Sequence, residues 1–145
     1  MKKLMYATLV VAMVFIVQNS FALSSATGNR IADDARAQIG KPYVWGGKTT
    51  SGFDCSGLAA WAYKRNGYAT IPWGTSHDQM NWCRICVDKR GSLLFFDAEG
   101  NDGRIDHVAI SDGNGYMIHA VYGRGVVRER ISSWYRSKLV VSASR

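Results

Sequence analysis

Proline is scarce in this sequence, with two residues in 145, and no stretch is rich in proline or serine. Linkers between independently folding domains usually have such a composition, so we expect no second domain and no separate targeting module. No internal repeat is visible either. The length is enough for one compact domain that buries roughly two-thirds of its unfolded surface.

An apolar run long enough to cross a membrane is also missing. The run from Leu4 to Val17 has about 14 residues, whereas a spanning helix needs roughly 20. Two lysines precede it, and small residues up to Ala22 suit a signal peptidase. These features predict a cleaved signal peptide over residues 1–22, a mature domain over residues 23–145, and secretion into the periplasm or the extracellular space without membrane attachment. An uncleaved signal anchor is the alternative.

Acidic residues are few, with 11 against 18 lysines and arginines. Loss of the two leader lysines lowers the net charge from +7 to +5. A positive charge of this size keeps a protein soluble, and it also attracts polyanions such as cell wall, anionic lipid or nucleic acid. Because the chain is expected to be exported, we expect no nucleic-acid partner.

Cysteines are also few, and their number is odd: Cys55, Cys83 and Cys86. In an oxidising compartment Cys83 and Cys86 could close a small disulfide loop, which leaves Cys55 unpaired. Catalysis would explain an unpaired thiol in an exported protein. A buried, inert thiol is the alternative.

Cys55 has the surroundings of a reactive thiol. It follows a glycine-rich polar loop, residues 45–52, and opens a helical pattern that ends at Asn66-Gly67. Asp54 is a good N-cap residue, which places Cys55 in the first helical turn. Unpaired N–H groups and the positive end of the helix dipole favour thiolate over thiol there, and the thiolate is the nucleophile.

The order of elements is typical of an α+β fold. Residues 23–29 are small and polar and predict a flexible leader, and an amphipathic helix follows up to Gly40. The Cys55 helix comes next, and then a short helical turn near Thr75. The extended patterns follow at residues 93–96, 105–111, 116–122, 125–131 and 139–141. Helices first and antiparallel strands later indicate an α+β domain.

Two of the three histidines lie on a predicted hairpin whose turn is Asp112-Gly113-Asn114-Gly115. His107 and His119 become neighbours if the strand register brings their faces together. A cysteine nucleophile needs a base, and the base needs an orienting partner, so the two imidazoles could serve Cys55. The alternatives are a surface histidine at position 107 and a structural sheet histidine at position 119.

Five short strings make the sequence recognisable. In chain order they are Gly40-Lys41-Pro42-Tyr43-Val44-Trp45-Gly46-Gly47, Phe53-Asp54-Cys55-Ser56-Gly57-Leu58, Gly91-Ser92-Leu93-Leu94-Phe95-Phe96, Asp106-His107-Val108-Ala109-Ile110 and Met117-Ile118-His119-Ala120. Together they resemble the NlpC/P60 family of cell-wall cysteine peptidases, which have a reduced papain-like fold. The resemblance covers nearly the whole mature chain.

The resemblance implies a role for each matching residue. Cys55 is expected to be the nucleophile, His107 the general base, and His119 the residue that orients the base. The expected substrate contacts line the site or flank the nucleophile: Tyr43, Asp54, Ser56 and Trp45. No metal and no cofactor takes part in the implied chemistry.

The implied reaction is hydrolysis of amide bonds in the peptide stems of peptidoglycan, most often the bond between D-glutamate and a diamino acid. Peptidoglycan is the expected partner, and we expect a monomer. A bare catalytic domain also resembles the small amidase effectors that bacteria deliver into rivals, which would imply an immunity or inhibitor partner. Two features depart from the family pattern: Ser92 stands where an acid is usual, and the loop of Cys83 and Cys86 is not part of it.

Three other functions fit parts of the sequence. A zinc module could use Cys83, Cys86, His107 and His119, although the two histidines are 12 residues apart instead of the usual 3–5 intervening residues. A non-catalytic wall-binding or inhibitor protein on the same fold is the second alternative. Acyl transfer through the same thioester is the third.

Overall fold

The structure is a computed structural model that describes residues 23–145. The predicted signal peptide, residues 1–22, lies outside this part. Within residues 23–145, no helix is both long enough and apolar enough to cross a membrane. The four helices described are α1 (Ser25–Arg36), α2 (Cys55–Arg65), α3 (Ser76–Trp82) and α4 (Ser133–Lys138). The strands are β1 (Lys48–Thr49), β2 (Gly52–Phe53), β3 (Arg84–Ile85), β4 (Leu93–Phe96), β5 (His107–Gly113), β6 (Tyr116–Val121), β7 (Gly125–Arg130) and β8 (Leu139–Ser144).

Six of these strands form one antiparallel sheet in the order β3-β8-β4-β5-β6-β7. Strands β4 to β7 are consecutive neighbours joined by turns, and β1 and β2 form a separate small hairpin. Helices α1 to α3 precede the six-stranded sheet, with the nucleophile on α2, and α4 lies between β7 and β8, so the α+β prediction is confirmed. The extended pattern at residues 139–141 belongs to β8, which lies inside the sheet, between β3 and β4.

The sheet separates two apolar clusters, because side chains alternate between the faces of a strand. The larger cluster lies between the sheet and helices α1 and α2, and contains Ile31, Leu58 and Tyr63. The smaller one, on the other face, contains Leu94, Phe96, Ala109, Met117 and Ile131, with Tyr135 of α4 packed against it. Strand β4 is buried on both faces, which explains its continuous run of four apolar residues.

The prediction of a flexible leader over residues 23–29 is wrong. Leu23 is 1% exposed, and α1 already begins at Ser25, with Ser24 as its N-cap accepting a hydrogen bond from the Thr27 N–H at 3.1 Å. The buried face of the helix includes Gly28, where an added Cβ would lie 2.3 Å from the carbonyl oxygen of Arg90. Helix α1 packs closely on the backbone at Arg90 because Gly28 has no side chain. The spacing of apolar residues in the sequence does not reveal this contact.

Candidate active site

The loop before α2 fixes the nucleophile. The carboxylate of Asp54 accepts hydrogen bonds from the N–H of Gly57 at 2.6 Å and from the N–H of Gly46 at 2.9 Å. It therefore caps α2 and ties the glycine-rich loop to the helix start. A Cβ on Gly57 would lie 1.8 Å from the Gly47 carbonyl oxygen, so only glycine allows this approach. Cys55 is the first residue of α2, as predicted.

The Cys55 sulfur lies beside three backbone N–H groups, those of Val108, Ser56 and Cys55 itself. Burial raises the pKa of the thiol to about 11, although these three N–H groups act in the opposite direction. The resting group is therefore a protonated thiol at neutral pH. The N–H groups at the helix start favour the thiolate, as predicted, but desolvation of the sulfur outweighs them.

His107 and His119 meet on one face of the sheet. The register that pairs Ile110 with Ile118 places them diagonally across β5 and β6, and their rings lie 5.0 Å apart in an edge arrangement. Nε2 of His107 is 2.7 Å from Nδ1 of His119, so the predicted side-by-side arrangement is confirmed. The Cys55 sulfur lies near the backbone N–H of Val108, the residue after His107, and Cys55 and His107 line one groove.

Burial keeps both imidazoles neutral. It lowers the pKa of His107 to about 3, and the neighbouring His119 adds to the effect. The pKa of His119 is also lowered by burial, although its hydrogen bond to Glu129 opposes this shift. A protonated thiol beside a neutral imidazole is the resting state that these shifts favour. Such a pair can act by moving the proton as the sulfur attacks.

Glu129 of β7 continues the chain of hydrogen bonds, and sequence reasoning missed it. Its Oε1 lies 2.6 Å from Nε2 of His119, which is fully buried. Arg124 in turn binds both carboxylate oxygens of Glu129, at 3.2 and 3.3 Å. The alternation of β7 indicated only a half-exposed strand. Glu129 reaches His119 diagonally across β6 and β7 because of the register in which these two strands pair. The alternation of residues along β7 does not reveal that register.

Tyr43 is placed next to the nucleophile by backbone pairing. Phe53 donates its N–H to the Pro42 carbonyl at 3.1 Å and accepts from the Val44 N–H at 3.0 Å, so residues 42–44 run beside the strand that leads into Cys55. Burial raises the pKa of Tyr43, and the nearby Cys55 adds to this shift. The phenol is therefore a neutral hydrogen-bond donor that lines the groove.

The groove itself has a volume of about 650 Å³ and an aromatic rim. Trp45, a predicted substrate contact, lines the groove and is 89% exposed, and Trp73, which also lines it, is 39% exposed. Two further exposed aromatic residues line the groove, namely Tyr122 and Trp134. Exposed aromatic groups around one concavity mark a binding surface.

Asp54 and Ser56, both predicted substrate contacts, also line the groove. Ser56 is buried, and its hydroxyl donates to the Asp54 carboxylate at 3.3 Å. Both Asp54 oxygens already accept backbone N–H groups. The contacts of Asp54 and Ser56 in the structure therefore stabilise the start of α2. A contact of either residue with substrate stays a prediction.

Cys83 and Cys86 lie away from the groove. They flank β3, which is separated from β5 by β8 and β4, and both are free thiols, so the predicted disulfide is not formed. The segment between them is extended, which separates Cα atoms three residues apart by about 10 Å, whereas a disulfide needs less than about 7 Å. Sγ of Cys86 instead accepts from the Ser144 hydroxyl at 3.4 Å.

The zinc module is wrong for the same reason. The two histidines bond to each other, and His119 also bonds to Glu129. Strands β8 and β4 lie between the histidine strands and β3, which the cysteines flank. Within residues 23–145 there is no group of three or more histidine, cysteine or acidic side chains that could hold a metal ion.

Comparison with known proteins gives a consistent result. The chain is 39% identical over 120 residues to Protein P54 of Enterococcus faecium, and this match covers 81% of the chain and 23% of P54. It is 40% identical over 86 residues to a gamma-D-glutamyl-L-lysine dipeptidyl-peptidase of Bacillus cereus, covering 57% of the chain and 25% of that protein. The chain spans less than half the length of these curated relatives.

Solved structures agree with the fold. The NlpC/p60 domain of the peptidoglycan hydrolase SagA superposes with a TM-score of 0.69 at 36% identity, over 81% of this chain and 98% of that domain. An NlpC/P60 family protein from Bacillus cereus gives a TM-score of 0.72 at 30% identity, over 86% and 41% of the respective chains. The reduced papain-like fold expected from the resemblance is confirmed. The sequence pattern of the NlpC/P60 family matches residues 40–145. The chain therefore belongs to the NlpC/P60 family.

Proposed function

We propose that this protein is a secreted cysteine peptidase that hydrolyses an amide bond in the peptide stems of peptidoglycan. The observation that carries the proposal is the position of Cys55 at a helix start, in one groove with His107, whose ring is hydrogen-bonded to His119 at 2.7 Å. A nucleophile, a base and an orienting group in this order are the requirements of thiol catalysis.

The first step is attack of the Cys55 sulfur on the scissile carbonyl. The resting thiol gives its proton to His107 as the C–S bond forms, because neither group is charged beforehand. The oxygen of the tetrahedral intermediate can take a hydrogen bond from the backbone N–H of Cys55. Such a donor typically contributes about 3 kcal/mol to lowering the barrier.

The second step releases the amine. His107 returns the proton to the leaving nitrogen, the C–N bond breaks, and Cys55 retains the acyl group as a thioester. Water then attacks the thioester with His107 again as base, which restores the thiol and yields the carboxylic acid. His119 keeps the His107 ring in one orientation through the whole cycle.

The bond after D-glutamate is our first candidate for the cleaved amide. The Bacillus cereus relative, 40% identical over 86 residues, is named for a gamma-D-glutamyl-L-lysine bond. Another relative, from Escherichia coli, is named a murein DD-endopeptidase and is 37% identical over 74% of this chain. The D,D cross-link is therefore the second candidate.

Digestion of purified peptidoglycan, with fragments identified by mass spectrometry, tests the proposal. The mature protein should release new stem fragments whose ends name the bond, and Cys55→Ala should release none. Cys86→Ser is the matched control, since it also removes one thiol but lies outside the groove, and it should cleave like the wild type. A folded, reduced wild type that binds the wall without cleaving it would instead favour a non-catalytic binding protein.

A further inference from the structure

We propose that Glu129 is a positioning residue that sets the tautomers of both active-site histidines and thereby leaves Nδ1 of His107 as the free base. The inference rests on the proposed thiol chemistry for its catalytic consequence. The tautomers themselves are a property of the resting protein.

Arg124 and Glu129 form the outer end of the hydrogen-bond chain. Arg124 binds both oxygens of Glu129, and although burial raises the pKa of this carboxyl, its hydrogen bonds with Arg124 and His119 hold it below the usual range. Glu129 is therefore a carboxylate at neutral pH, and a carboxylate only accepts hydrogen bonds. At 2.6 Å, Nε2 of His119 must carry the proton and donate it to Glu129.

The tautomer of His119 then fixes that of His107. A neutral imidazole carries one N–H, so protonation at Nε2 leaves Nδ1 of His119 as an acceptor. That acceptor is 2.7 Å from Nε2 of His107, which must therefore be the donor. His107 is left with an unprotonated Nδ1. No side chain among residues 23–145 makes a hydrogen bond to this nitrogen, and His107 lines the groove next to Cys55.

The charged and titratable groups around these hydrogen bonds favour transfer of the thiol proton to His107. His119 is packed against His107 of β5, Glu129 of β7 and the Tyr135 ring of α4, with Arg124 outside Glu129. When His107 accepts the thiol proton, its positive charge lies one neutral ring away from a carboxylate. Such a carboxylate stabilises a buried imidazolium and makes proton transfer from the thiol easier.

Tautomer assignment in the wild-type protein is the first test. Long-range ¹H–¹⁵N correlation spectra of the resting protein distinguish Nδ1–H from Nε2–H, and we expect Nε2–H for both His107 and His119. An Nδ1–H form of His119 would overturn the inference. This measurement needs no substrate, so failure of the peptidase proposal would leave it interpretable.

Substitution of Glu129 is the second test. Glu129→Met keeps the length of the side chain but removes the acceptor and the charge, and kcat should fall about 100-fold with KM within about twofold. Glu129→Gln, which keeps an acceptor oxygen, should recover at least tenfold of the loss in kcat.

The control is Asp88→Asn, which removes one exposed acid from the loop between β3 and β4 and should behave like the wild type. A folded Glu129→Met variant with kcat within threefold of wild type, or with the wild-type tautomer of His119, would show that Glu129 only packs against the ring. If that variant does not fold, the wild-type tautomer decides the question.

Discussion

Strand β5 carries a buried polar network at each end, and the two ends behave differently. At the far end the Asp112 side chain is 1% exposed and contacts three arginines, with Arg128 at 2.5 Å, Arg90 at 3.1 Å and Arg36 at 3.8 Å. Both of its oxygens are engaged. At the near end, His107 lines the groove; one of its ring nitrogens is bonded to His119, and the other has no side-chain hydrogen-bond partner among residues 23–145. A fully paired network stabilises the fold, and a network with one free position can react.

The largest effect should come from the near end. Replacing His107 by Gln removes the proposed base, and kcat should fall by about 10³-fold or more. The free energy of unfolding should change little, because the lost side chain makes one hydrogen bond to a described residue. Muropeptide release and urea denaturation measure the two quantities. Equal losses of activity and stability would mean that the near end is structural like the far end.

The pH dependence of Cys55 reactivity also distinguishes the two ends of β5. With the thiol pKa raised by burial to about 11 and that of His107 lowered to about 3, neither group titrates between pH 6 and 10. The thiolate fraction should then rise about tenfold per pH unit, and so should alkylation by iodoacetamide, giving about 100-fold between pH 7 and pH 9. Peptide mapping separates Cys55 from Cys83, whose pKa burial raises to about 12.

The increase of Cys55 reactivity with pH follows from the raised pKa of its thiol. A thiol with a raised pKa is protonated at neutral pH and becomes more reactive as the pH increases. A rate that is already constant above about pH 6 would instead indicate a preformed thiolate and imidazolium. It would mean that the near end carries a permanent ion pair, as the far end does.

The next effect should come from the far end, with the opposite signature. Asp112→Asn removes the charge that holds three arginines, and the free energy of unfolding should fall by about 2 kcal/mol, since those arginines are partly exposed and can reach water. Cleavage by the folded fraction should stay within about twofold of wild type. Loss of activity at unchanged stability would show that the two ends are coupled through β5.

The smallest effect should come from the rim. Trp45 is 89% exposed, so Trp45→Ala should change stability by less than about 0.5 kcal/mol. If the ring contacts substrate, KM should rise roughly threefold to tenfold, equivalent to about 1 kcal/mol. Ile85→Ala is the control, because Ile85 is 83% exposed on β3 and lies outside the groove. An equal KM for both variants would remove Trp45 from the substrate contacts.

Local chemistry explains which parts of this structure could be predicted from sequence. The start of α2 followed from Asp54, whose capping bond involves residues three apart, and the hairpin followed from its turn, in which Asn114 and Gly115 have positive φ. The pairing of the two histidines depends also on a one-residue shift of register between Ser111 and Gly113, beside this turn. Motifs whose contacts join residues close together in the sequence can therefore be predicted from the sequence.

Features that depend on contacts between residues far apart in the sequence could not be predicted. Glu129 reaches His119 from another strand, and α1 is held by a backbone approach to Arg90 that no periodicity encodes. The ionisation of Cys55 also depended on tertiary structure, since burial by the assembled fold outweighs the local helix terminus. The placement of β8 inside the sheet belongs to the same class.

That placement has a consequence for folding order and aggregation. Strand β4, with the sequence Leu93-Leu94-Phe95-Phe96, pairs with β5 on one side and with β8 on the other. Until β8 is in place, four apolar residues of high β propensity form an open sheet edge, a template for pairing with another copy. Strand β3 also has no other neighbour than β8 among residues 23–145. Residues 139–144 therefore protect the chain from self-association as well as complete its sheet, and variants that loosen them should precipitate before they lose chemistry.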